Sequence, residues 1–162
     1  QDTDKFRDRT IAEYSVERKT ANFRYNKLSF MNCKFEAFHL ENRNGADIYI
    51  YPGFLIYFKN NREFALIDFN DLNIQYLGQP FHESERVPSD SIVIGQTWAK
   101  ANKDGSRDKR FSNNYQIPIV KYGYIILSTS QGLNEHYLIS NPKSAEQFYD
   151  LFQEYKNRIR KE

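Results

Sequence analysis

The chain predicts an α+β, mainly β fold: an antiparallel, partly open barrel or sandwich of about seven strands, with an amphipathic helix after the last strand and a second helix before the first. Three observations carry this. Aromatic residues make up 16% of the 162, chiefly 13 Phe and 12 Tyr, side chains that suit pleated, half-buried surfaces. Short apolar runs from Leu28 onward are separated by turn signals with no helix between them, which excludes a doubly wound α/β fold. The clearest helical periodicity falls in the last segment, from Ala145 to Ile159.

Residues 1–27 read as a helical appendage and residues 28–162 as the β domain. In the appendage, Thr10 and Glu13 have capping-box spacing, and Ile11, Tyr14, Ala21, Tyr25 and Leu28 fit one helical face that Arg18 interrupts. "LSFMNCKFEAFHLEN" places Met31, Cys33, Phe35 and Ala37 at period two, the mark of a strand. "ADIYIYPGFLIYFKNNREFALIDF" predicts a three-strand meander, turned at Pro52-Gly53 and at Lys59-Asn60-Asn61-Arg62. "LNIQYLG" is another strand, and the two prolines of "QPFHESERVPSD" predict an irregular loop after it.

"SIVIGQTW" resumes the sheet, and "YQIPIVKYG" and "YIILSTS" follow as two strands with a bulge or bend at Gly123. A turn at "SQGLN" leads into "EHYLIS". Asn141 then caps a helix that begins at Pro142 and buries Ala145, Phe148, Phe152, Tyr155 and Ile159, a stripe widened by Leu151. Lys156, Arg158, Arg160 and Lys161 complement the dipole at its end.

At this length one core is expected, and a net charge of +2 implies no nucleic-acid or membrane partner by itself. Charge is unevenly spread: residues 47–96 are acidic on balance and residues 97–162 basic. The lone Cys33 excludes an intrachain disulfide and a thiolate metal cluster, and fits a reducing compartment, so a soluble cytoplasmic protein is expected. The chain starts at Gln1 rather than Met, which leaves a removed signal peptide or an upstream domain open.

A barrel of about seven strands plugged by a terminal helix resembles the pleckstrin-homology-like superfold over residues 28–160. The stretches "IYPGFLIYF", "FALIDFNDL", "TWAKANKDGSRDKRFSNNYQIPIVKYG" and "SQGLNEHYLISN" look like a bacterial family of uncharacterised domains with that fold. The resemblance implies binding rather than catalysis, with phosphoinositides, peptides or proteins as ligand classes. Lipid-binding members of that superfold carry basic residues between their first two strands. Here that connection, "ENRNGAD" or "YPGF", holds no basic cluster.

The candidate ligand-binding residues are Lys100, Lys103, Arg107, Lys109 and Arg110, with Trp98 in front of them. Two readings of this run stand: a phosphate-contacting loop, and a solvated loop in which Asp104 and Asp108 pair with their basic neighbours around an Asp104-Gly105 turn. Trp98 is either a core anchor or an aromatic platform at the loop's mouth. Asn102, Asp104 and Asp108 lack the Gly and Glu positions of an EF-hand calcium loop.

His39, His82 and His136 are scattered, Cys33 has no adjacent base, and Glu63, Asp68 and Asp71 sit on strand and turn positions that do not suggest convergence. No catalytic residue, metal or cofactor is therefore expected. The function expected is a non-enzymatic interaction domain for a protein or peptide within a larger protein or assembly. Two alternatives are an anionic lipid or nucleic-acid binder using loop 97–114, and a small hydrolase or nuclease. A homodimer through the N-terminal helix is a further expectation.

Overall fold

The computed structural model describes residues 20–43 and 45–159. The chain divides into two compact units, residues 1–72 and 73–162. The described residues form nine strands and one helix, in two antiparallel sheets. Neither sheet closes into a barrel.

In the first unit, β1 (Phe23–Asn26), β2 (Ala37–Leu40), β3 (Asp47–Tyr51), β4 (Phe54–Asn60) and β5 (Glu63–Asp68) form a meander in chain order. The three strands expected between residues 46 and 69 are β3 to β5, turned where the sequence places the turns. Gly53 turns the first hairpin at φ 88°, in the left-handed region that only Gly occupies without strain. At the second, Asn60 Oδ1 accepts the backbone N–H groups of Arg62 and Glu63 at 2.9 and 3.1 Å. One face of the sheet buries Ala37, Tyr49, Tyr51 and Ile56 beneath Leu28, with Met31, Cys33, Phe54 and Phe58 packed around them.

Two expectations are corrected here, the first only in its described part. The N-terminal helix, and dimerisation through it, fall on residues 1–19, outside the described residues, but the tail of that helix, Phe23–Asn26, is strand β1 paired to β2. Alternating Phe23 and Tyr25 meet Phe38 edge-on and tilted, at 6.2 and 5.7 Å, a contact a helical turn could not make. The strand expected from Leu28 begins only at Ala37. Residues 28–36 instead fold over the sheet, starting from a Met31 N–H to Leu28 carbonyl turn of 3.0 Å, because Leu28, Met31 and Cys33 are needed as its cover.

In the second unit, β6 (Asn73–His82), β7 (Ile92–Trp98), β8 (Gln116–Ser128) and β9 (Asn134–Ile139) are followed by α1 (Pro142–Ile159). β8 is the spine. One of its edges pairs with β6, and the other is shared end to end by β7, against Gln116–Lys121, and β9, against Gly123–Ser128. Asn141 Oδ1 caps α1 by accepting the Ser144 N–H at 3.0 Å, as expected, and the helix lies on β8, β6 and β9.

Three details differ from expectation. β6 runs through Pro80 to His82, because β6 is an edge strand and a residue there can lack an N–H without losing a ladder bond. β8 is one strand of 13 residues with no bend at Gly123. That glycine lies under the first turn of α1, where a Cβ would stand 2.3 Å from the Ala145 Cβ and 3.3 Å from the Pro142 Cα. On α1, Ala145 and Phe152 are buried as expected, but Leu151 is 66% exposed and Tyr155 points outward while Lys156 is buried. A 3.6-residue turn carries the stripe from Phe152 to Lys156, whose methylenes serve the apolar face.

Candidate functional site

The basic run is the loop of the β7–β8 hairpin, and the hairpin continues past the strands. Beyond the Trp98–Gln116 pair the Ala99 N–H donates to the Tyr115 carbonyl at 2.8 Å. Asn114 then acts as a clamp. Its Oδ1 accepts the Lys100 N–H at 3.0 Å, and its Nδ2 donates to the Lys100 and Asp108 carbonyls at 2.6 and 3.3 Å. The tip folds on itself: Gly105 takes φ 81°, Asp104 Oδ1 accepts both the backbone N–H and the hydroxyl of Ser106, and Asn102 spans to Ser106 and the Arg107 carbonyl.

The sequence-derived candidates divide on this scaffold. Arg110 grips Asp108 with Nε and a terminal nitrogen, at 3.0 to 3.1 and 2.6 Å, a fork that holds the Asp108 carboxyl below its usual range. Arg107 lies over the Trp98 ring at 5.4 Å and donates to the Ser112 carbonyl at 3.1 Å. The Lys100 ammonium sits 5.9 Å over the Phe111 ring. Lys103 and Lys109 are exposed and make no hydrogen bond or ion pair among the described residues. Trp98 is half-buried, a shelf for Arg107 rather than a core anchor.

Of the self-paired reading, the pairing of an Asp with a basic neighbour holds for Asp108 and Arg110, with Asp108 buried rather than solvated, while Asp104 turns to Ser106 instead of a Lys or Arg. The carboxylates of Asp104 and Asp108 are engaged by Ser106 and Arg110 of the loop itself, and Asn102 donates its amide nitrogen to Ser106. What sequence reading missed is the apolar content of this hairpin. Ile92, Val93 and Ile94 are 38, 54 and 52% exposed at its base, and Phe111 and Tyr115 are 46 and 60% exposed on the returning side of its loop. A register shift between Val93 and Gly95 leaves Ile94 without a partner on β8. The signal was present in the unbroken run "SIVIG", which alternation would have split had one face been buried and the other solvated.

Beside the hairpin, Glu83 is 1% exposed and accepts the Tyr122 hydroxyl at 2.7 Å and the Glu85 N–H at 2.8 Å. The Glu83 N–H donates to the Pro118 carbonyl at 2.9 Å, so the loop after β6 is pinned to β8 just where that strand begins. His82 next to it is exposed.

The remaining histidines have structural partners. His39, 2% exposed, meets Asp47 at 2.8 Å through Nε2 and stacks on Tyr49 at 4.2 Å. His136 Nε2 meets Asn134 Oδ1 at 2.9 Å, which makes that nitrogen the donor and leaves Nδ1 to accept the Tyr124 hydroxyl. Burial pushes His136 below the ordinary imidazole value, with Glu135 opposing. Between that lowered value and about 6.5 the unfolded chain binds more protons, so acidification through this window costs stability. Urea midpoints are expected to fall from pH 7.5 to 5.5, and to fall less in His136→Gln. An equal slope in the variant would contradict the assignment.

Glu63, Asp68 and Asp71 stay apart: Glu63 pairs with Lys59 at 2.7 Å, and Asp68 Oδ1 accepts the Asn70 N–H at 2.7 Å. Among the described residues no group of three or more His, Cys, Asp or Glu converges to hold a metal ion. An open cleft in the first unit, lined by Arg43, Tyr57, Lys59, Glu63 and Phe64, contains the Lys59–Glu63 pair. No described helix is long and apolar enough to cross a membrane. No protein-family model, curated protein or solved structure matches the chain.

Proposed function

We propose that the chain is a non-enzymatic interaction domain of pleckstrin-homology-like type that recognises a protein or peptide through the β7–β8 hairpin. The observation that carries this reading is the hairpin's surface. A loop braced by Asn114 and by the Asp108–Arg110 fork presents Phe111 and Tyr115 with the exposed Lys103 and Lys109, and β7 presents Ile92, Val93 and Ile94 toward the other end of the hairpin. Exposed apolar groups in such numbers are a liability unless a partner covers them, and aromatics on a rigid loop lose little entropy on binding. The partner chemistry that fits is an apolar segment carrying acidic residues.

The pleckstrin-homology-like assignment rests on the order of elements: strands in antiparallel sheets, then one amphipathic helix packed on the second sheet. A second reading is binding of anionic lipid headgroups or nucleic acid by the same loop. Lys103 and Lys109 favour it; the engagement of Arg110 with Asp108 weighs against it.

Selection of short random peptides on the immobilised chain is expected to return sequences rich in apolar residues with at least one acid. Phe111→Ala or Tyr115→Ala is expected to weaken the selected peptides about tenfold, roughly 1.4 kcal/mol. Peptides that bind both variants as well as the parent chain would overturn the proposal.

A further inference from the structure

Sheet edges are where chains meet, and proteins ordinarily block them with Pro, Lys, bulges or short length. Among the described edge strands, β1 has four residues, β6 contains Pro80, β7 has a register shift at Val93 to Gly95, and β9, paired only with β8, opens on the polar run Asn134, Glu135 and His136. β5 differs. Its six residues, "EFALID", hold no Pro, Lys or Gly, pair with β4 on one side and have no described strand on the other. Phe64 and Leu66 are 52 and 64% exposed on one face of it, beside Phe30, which packs on Phe58 and Phe64 at 5.6 and 5.3 Å.

We infer that β5 is a self-association edge, joined antiparallel to β5 of a second copy of this chain. Only alternate residues of β5 aim their N–H and C=O groups away from β4, so two copies related by a two-fold axis must set residues of equal parity against each other. The axis then passes through a residue. Centred on Phe64 it would set Arg62 against Leu66, and centred on Leu66 it would set Asp68 against Phe64; each buries a charge against an apolar group.

Centred on Ala65, the same face reads as its own complement. Phe64 meets Leu66 of the second copy twice and the small Ala65 faces itself. Arg62, in the turn just before the strand, is brought to the end of the ladder where Asp68 of the second copy stands. The one charge set against an apolar group, Glu63 with Ile67, falls on the opposite face, where Glu63 is paired with Lys59 at 2.7 Å. The charged partners are ready for this. The Asp68 carboxylate is fixed by the Asn70 N–H at 2.7 Å, and the Arg62 guanidinium has no hydrogen bond or ion pair among the described residues.

Charge exchange tests the register without relying on any one variant folding well. By sedimentation velocity the chain is expected to self-associate, and Arg62→Asp and Asp68→Arg are each expected to raise the dissociation constant about tenfold or more by setting like charges opposite. An equimolar mixture of the two variants is expected to recover association, because every cross-strand pair is then complementary. Leu66→Lys is expected to weaken association by a similar factor, and Leu151→Lys, at a 66% exposed position on α1, to leave it unchanged. The inference is overturned if the parent chain stays monomeric at every concentration reached, if the mixture associates no better than either variant alone, or if Leu151→Lys dissolves the dimer. Peptide binding by the β7–β8 hairpin is read separately, so either result can fail without the other.

Discussion

Phe152→Ala is expected to destabilise the second unit by about 3–5 kcal/mol, whereas Leu151→Ala, one residue earlier on the same helix, is expected to change stability by less than about 0.5 kcal/mol. Phe152 is 7% exposed and tilts against Phe148 at 5.9 Å; Leu151 is 66% exposed. The loss has two parts: the ring's transfer from the interior to water, and a void that the sheet beneath α1 only partly fills. Since small domains hold about 5–15 kcal/mol in total, chemical denaturation should place the Phe152 variant near the edge of folding. Equal losses at the two positions would mean that α1 is rotated from the face described above.

Gly123→Ala is the next largest expected effect. The added methyl would stand 2.3 Å from the Ala145 Cβ and 3.3 Å from the Pro142 Cα, and neither of these is the end of a flexible side chain that could swing aside. The first turn of α1 must lift from β8, straining the Tyr76 hydroxyl's 3.2 Å bond to the Pro142 carbonyl. Overpacking of this kind costs about 1–3 kcal/mol, and each kcal/mol lowers the melting temperature of a small domain by about 4–8 °C. Ala145→Gly in the Gly123→Ala background is expected to recover part of the loss although Gly weakens a helix by about 1 kcal/mol. A purely additive double variant would show that helix and strand do not press together at this point.

These two positions mark how far the sequence could be read. Asn141, Pro142 and the apolar spacing behind them specify α1 locally, so the helix was legible with its cap. Gly123 was visible as a special residue, but its reason lies 22 residues away at Ala145, a distance no local pattern spans, and it was read as a bend. The same limit applied at Pro80, where tolerance depends on which strand is at the edge, and at Leu28 to Phe35, where period two came from residues that cover a sheet instead of joining it. In the hairpin, Asp104-Gly105 and the Asp108–Arg110 pair were legible because their partners are neighbours. The Asn114 clamp was not: a side-chain amide imitating a strand backbone leaves no trace in composition.

The hairpin's chemistry rests on the claim that its apolar surface, rather than its charge, selects the partner. Ile94→Lys separates the two, because Ile94 is 52% exposed and has no partner on β8, so the change adds a cation and removes an apolar contact at little expected cost to folding. Affinity for the selected peptide is expected to fall about tenfold or more in this variant, since a Lys would have to be desolvated in the contact. Tighter binding of that peptide, or tighter binding of anionic vesicles that the parent chain already holds at low salt, would contradict the proposal and assign the loop to anionic surfaces instead.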